Sequence, residues 1–371
     1  MKKFLTILLS ILTLLAASSC TTPSTSRENN NSNLPDPASF RQQDRYEFFI
    51  ETADCYYYLY DKMIYVSVKD HPAFYFLCSK PDCPHGGRDC NAYGGCAIGY
   101  WNGHLYSAVL EADMQSFVQM DLDGSNHKEV TEIVLPLDAN GSEGGSYRFN
   151  FHNGYIFYQV KNTSDFYFGL SLETGKTERL FESLSGKDRI DFSRFTAQNE
   201  NVYFLAIDEN ASKEQILQSY DTKANTMRKF MDWSEDNFGL RIDGNTVYYF
   251  DSRAKEFCEH DCSTGTMQQR LHFDCYGGVP YYGEDYIYFV TWDNDADETG
   301  IAENRFTILS RDYQLCTKVS LPPNGDFLYA AEDVLFFSNL PSRKITHYLP
   351  KSAIGTGEAE LLPIEDPYSY R

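Results

Sequence analysis

The chain has 371 residues and a formal net charge of −21. That length suits one large all-β domain or two average ones. A surface this acidic repels nucleic acid and anionic lipid headgroups, so neither is expected as a partner.

The first twenty residues read as an export segment. Lys2 and Lys3 form a charged start, Phe4 to Leu15 an apolar core broken by Thr6, Ser10 and Thr13, and Ala16-Ala17-Ser18-Ser19 a run of small residues ahead of Cys20. The apolar run is too short for a comfortable bilayer span, so residues 1–19 are expected to be a signal peptide. Small residues directly before a cysteine resemble the bacterial lipoprotein box, with Ala17 where that family usually has leucine. The resemblance implies a lipid on Cys20, a membrane anchor and an extracytoplasmic location. An ordinary signal peptide cut near Ala17 is the alternative. Residues 20–44 are rich in Ser, Thr, Asn and Pro. They lack the apolar surface to offset ordering entropy and are expected to be a flexible tether.

Residues 45–371 are expected to form a single domain built from one recurring unit. A turn pair precedes a β-prone aromatic run at Asn102-Gly103 before His104-Leu105-Tyr106, at Asn153-Gly154 before Tyr155 to Tyr158, and at Gly244-Asn245 before Thr246 to Tyr249. Looser copies stand at Asn201 to Phe204, Asp285 to Phe289, Asp333 to Phe337 and, first in the chain, Asp61-Lys62 before Met63 to Tyr65. Asn-Gly and Asp-Gly tolerate the positive φ of tight hairpins, and 28 tyrosines with 26 phenylalanines suit pleated, half-buried strands. A third strand then ends at a second turn, as at Asp123-Gly124, Thr174-Gly175 and Thr264-Gly265, and a polar fourth strand closes the unit. The anchors cluster at intervals in the forties, the period of a four-stranded blade. The fold expected is therefore an all-β β-propeller with seven blades. Six is the alternative, because the first unit has a weak final strand and a long insertion. Tyr46 to Glu51 is placed to pair into the last blade and seal the ring. The run Phe117 to Asn126 resembles the strand-and-turn segment of YWTD-type and TolB-type propellers, which supports the fold and carries no function.

The insertion, residues 78–96, holds Cys78, Cys83, His85, Cys90 and Cys96. Its Cys-x4-Cys-x-His-x4-Cys pattern with prolines resembles an insertion in uncharacterised propeller lipoproteins of anaerobic Gram-positive gut bacteria, a likeness that brings no activity. Two chemistries fit. Disulfides among Cys78, Cys83, Cys90 and Cys96 suit an exported chain. Zinc on Cys78, Cys83, His85 and Cys90 suits a three-thiolate, one-imidazole tetrahedron, though the spacing departs from paired Cys-x2-Cys knuckles. Compartment puts disulfides first. Asp293, Asp295 and Asp297 alternate as calcium ligands would, but Glu298 and Asn304 occupy the positions where an EF-hand needs glycine and glutamate. A solvated acidic loop explains them more simply, and no cofactor is expected.

The sequence has no Gly-x-Ser-x-Gly elbow, His-Glu-x-x-His motif or phosphate-binding glycine loop. The expected function is a lipid-anchored, monomeric binding or scaffolding module for an extracellular glycan or protein. The competing reading is an envelope enzyme acting on glycans through carboxylates at the channel mouth.

Overall fold

A computed structural model describes residues 48–69, 72–111, 114–133, 147–160, 167–179, 188–208, 215–224, 226–273, 280–292, 304–340, 342–357 and 359–365. All belong to the compact unit 35–371. Cys20 and the carboxylates of Asp293, Asp295 and Asp297 lie outside the described residues, as do the signal segment and the tether.

Seven antiparallel sheets, each of four consecutive strands, stand as the blades of a seven-bladed β-propeller. Blade 1 covers residues 49–76, blade 2 97–132, blade 3 147–179, blade 4 188–233, blade 5 237–272, blade 6 281–320 and blade 7 325–363. Among the described residues there is no α-helix, only a 3-10 turn at Lys351–Ala353. Blade 2 shows how the unit works. Its strands are Ala97–Trp101, His104–Glu111, Met114–Met120 and Lys128–Glu132. Trp101 pairs with His104 across Asn102 and Gly103, whose φ values of 47° and 81° give the turn a twist that matches its strands. The second strand is covered on both faces by neighbouring blades, so Leu105, Ala108 and Val109 run buried without strict alternation. The fourth strand sits at the rim and is polar, as in Thr266–His272 of blade 5. First strands of blades 1 to 6 lie side by side and so mark the axis.

Two expectations are corrected. The turn Asp61-Lys62, with φ of 48° and 64°, joins the second and third strands of blade 1, Cys55–Tyr60 and Met63–Val68. In the other blades the matching turn joins the first and second strands. Tight-turn chemistry marks a hairpin without saying which hairpin it is. The strand Phe49–Glu51 does not pair into the last blade either. It is the innermost strand of blade 1, with Phe49 opposite Tyr58.

The ring is instead sealed by side chains. Phe49 stacks on Tyr329 of blade 7 with centroids 4.3 Å apart, and Tyr56 meets Phe336 edge-on at 5.0 Å. Beside them Lys69 places its ammonium 2.7 Å from the buried Glu51 carboxylate and 3.3 Å from Glu332. The Glu332 backbone N–H donates to the same Glu51 group. Burial would lower the Lys69 pKa, but these two carboxylates outweigh it and raise it.

The two faces of the ring differ. Turns between first and second strands are two or three residues long in every blade. Connections from second to third strands, and from each fourth strand to the next blade, leave on the opposite face in an up-and-down meander. The two longest stretches between strands, residues 77–96 and 133–146, join strand ends on that face, as does 293–303. Residues 351–361, between the third and fourth strands of blade 7, are the one long connection on the short-turn face.

Candidate metal centre between blades 1 and 2

The chain leaves blade 1 from its outermost strand, Tyr75–Phe76, and fills the wedge between that blade and the next. Main-chain bonds stitch it to blade 1: Leu77 N–H donates to Ile64 O at 2.9 Å, Ile64 N–H to Ala92 O at 2.6 Å, and Gly94 N–H to Lys62 O at 2.8 Å. Further along, Cys96 N–H donates to Ala108 O of blade 2 at 2.8 Å. Leu77, Cys90, Ala92 and Tyr93 are buried with Leu59 and Ile64 of blade 1 and Val118 and Met120 of blade 2. On the inner side, Lys62 of blade 1 reaches Glu111 of blade 2 at 2.8 Å, and Tyr93 donates its hydroxyl to the same carboxylate. Those two bonds hold the Glu111 carboxyl below the usual range.

At the outer end of the wedge, ligand atoms of Cys78, Cys83, His85 and Cys90 all lie within 4.8 Å of one another. Short local bonds create this convergence. Cys83 N–H donates to Lys80 O, Cys90 N–H to Gly87 O, and Lys80 Nζ to Asp89 O. Asp82 and His85 both take left-handed backbone, with φ of 59° and 49°, folding the prolyl segment back on itself. The imidazole of His85 stacks on Phe76, centroids 4.6 Å apart and 20° from parallel, which aims Nδ1 at Cys90 Sγ, 3.6 Å away.

Main-chain donors complete the surroundings. Ala92 N–H lies 3.4 Å from Cys90 Sγ, and the N–H groups of Lys80 and Asn91 face Cys78 Sγ. Burial raises the Cys78 pKa, but those N–H groups and the thiols of Cys90 and Cys83 outweigh it and the net shift is downward. Burial pushes the Cys90 thiol up to about 12. The donor set is three sulfurs and one nitrogen, which suits a borderline-soft divalent ion of tetrahedral habit.

Of the five candidate residues in the insertion, the structure brings four together. Cys96 stands apart, its Sγ on Ala108 O at 3.2 Å. Cys55, Cys78, Cys83, Cys90, Cys96, Cys258, Cys262 and Cys316 are all thiols in the structure. Sequence reasoning missed Phe76, the aromatic floor under His85. An aromatic residue two positions before the first cysteine was the available signal.

The second blade grips the insertion from outside. Asn91 O accepts from His127 Nε2–H at 3.2 Å. Gly124, in the turn before the fourth strand, has φ +76°, and a Cβ there would stand 2.5 Å from Asn91 O and 2.7 Å from Leu77 O. Gly103, at φ +81°, has open space around it. Gly103→Ala should therefore cost only the left-handed backbone penalty, about 1–2 kcal/mol. Gly124→Ala adds backbone collisions and should cost about 1–2 kcal/mol more. Urea unfolding midpoints of the two variants check this, and equal losses would mean the turn does not bear on the insertion.

No family model matches the chain, and no curated protein is similar enough in sequence to count as a relative. Solved structures do resemble it. A prolyl endopeptidase, from a study of two such enzymes, aligns with a TM-score of 0.54 and 13% identity, over 89% of this chain and 51% of that one. An oligogalacturonate lyase in complex with manganese gives 0.45 and 8%, over 66% of this chain and 69% of that one. The computationally designed Ika8 protein gives 0.44 and 10%, over 89% and 98%. This chain spans about half the length of the prolyl endopeptidase. At such identities the likeness is one of fold, and the chain is a seven-bladed β-propeller.

Proposed function

We propose that this propeller is a binding or scaffolding module, anchored through lipid on Cys20 at the extracytoplasmic face of a cell membrane, whose long-loop face receives a glycan or protein. The observation that carries the reading is the asymmetry of the ring. One face keeps two- and three-residue turns between first and second strands and a single longer connection at 351–361, while the strand ends on the other face border the stretches 77–96, 133–146 and 293–303. Variable loops on a rigid scaffold are where recognition is built.

A glycan and cell-wall binding screen, with product analysis on the same samples, tests the reading. Retention of one ligand class with no new products is the expected result. Product formation would establish the glycan-active enzyme in its place. Detergent partitioning of a Cys20→Ala chain tests the anchor: the variant should move to the aqueous phase, and continued membrane association would remove the lipid from the account.

A further inference from the structure

We infer that Cys78, Cys83, His85 and Cys90 bind one zinc ion, and that this ion clasps the outer edges of blades 1 and 2. The inference stands apart from the binding reading above, since it holds whether the ring binds, scaffolds or catalyses.

The geometry distinguishes a metal from a disulfide. A disulfide needs two sulfurs about 2.05 Å apart and nothing else. Here a third sulfur and an imidazole nitrogen converge on the same point, and the imidazole is held there by the ring of Phe76. Zinc bonds of about 2.3 Å to sulfur and about 2.0–2.1 Å to nitrogen, opened to the tetrahedral angle, put the two donor atoms about 3.5–3.6 Å apart. The separation of Cys90 Sγ from His85 Nδ1 is 3.6 Å. Cys96, the fourth cysteine of the insertion, is the one a metal would leave out, and it is the one facing Ala108 O.

Binding balances simply. Three thiols release three protons, neutral His85 gives its lone pair, and the product is a tetrahedral Zn(S)3N unit of net charge −1. That charge needs nearby donors. The N–H groups of Lys80 and Asn91 at Cys78 and of Ala92 at Cys90 are already turned toward the sulfurs. Four protein ligands leave no open position, so the ion holds structure and presents no reactive site. Its anchorage explains the placement. Cys78 follows the last strand of blade 1, while Cys90 leads into Asn91 and Ala92, which meet His127 of blade 2 and Ile64 of blade 1.

The test begins with metal analysis of the full chain purified without chelator or added metal, beside a thiol count on denatured, unreduced protein. One equivalent of zinc with all three cysteines counted as thiols after chelation is the expected result. Metal-free protein in which Cys78, Cys83 and Cys90 fail to react as thiols would overturn the inference in favour of disulfides. Stoichiometric iron in place of zinc would overturn the choice of ion. Cys83→Ser should lose at least nine-tenths of the zinc and Cys96→Ser none. If Cys83→Ser does not fold, cobalt exchanged into the unaltered chain decides: tetrahedral cobalt–thiolate absorption supports the site, and a spectrum without thiolate-to-metal bands refutes it.

Discussion

A Phe49→Ala chain is expected to lose about 3–5 kcal/mol of stability, more than the same truncation would cost in a residue packed within one blade only. Phe49 is 1% exposed and touches Tyr56, Tyr58 and Phe74 of its own blade and Tyr329 and Phe336 of blade 7. Since no strand crosses from blade 7 to blade 1 among the described residues, this aromatic packet and the Lys69 bridge hold the first blade to the last. Removing the ring leaves a cavity at the seam that the two sheets can close only by moving together. Denaturant unfolding, with proteolysis to report local opening, measures the effect. A loss below about 1 kcal/mol would show that the seam is held elsewhere.

The second large effect is alkaline. The phenols of Tyr58, Tyr282 and Tyr288 are buried, and burial raises all three pKa values above the ordinary 10. A raised folded pKa means stability fully present below about pH 10 and lost as the pH climbs, because only the unfolded chain can ionise these groups easily. Each such phenol removes about 1.4 kcal/mol per pH unit, so the three together remove about 4 kcal/mol per pH unit. Lys69 acts in the same direction, its stabilisation being complete below pH 10.5 and fading above it. Circular dichroism should therefore collapse cooperatively between about pH 10 and about pH 12, with phenolate absorbance rising in the same step. Independent phenolate titration over an unchanged fold would defeat the argument. Tyr288→Phe supplies an internal control. Its hydroxyl has no hydrogen-bond partner among the described residues, so stability at neutral pH should be nearly unchanged. The alkaline slope should fall by about 1.4 kcal/mol per pH unit.

How far the sequence carried these conclusions depended on range. Hairpins such as Asn102-Gly103 are legible because turn chemistry is local, and seven of them give the blade count. The same local character misled at Asp61-Lys62, whose positive-φ pair suits any tight hairpin. The seam was not legible at all. Phe49 and Tyr329 are nearly the whole domain apart, and nothing in either neighbourhood names the other. At the insertion the residue types were readable but their convergence was not. It depends on left-handed backbone at Asp82 and His85, a conformation these residue types tolerate without specifying it, and on Phe76 under the imidazole. Spacing alone grouped Cys96 with the others, although by that point the chain has already turned into blade 2.

The seam also sets an order of assembly. Each blade is made of consecutive strands, so each can form from its own stretch alone, without waiting for the others. The first blade then carries a bare aromatic flank until the seventh has formed, because Tyr329 and Phe336 belong to that blade. A partly folded ring is an open arc with one adhesive end. The hazard it faces is capture of that end by the seventh blade of another copy, joining two rings head to tail.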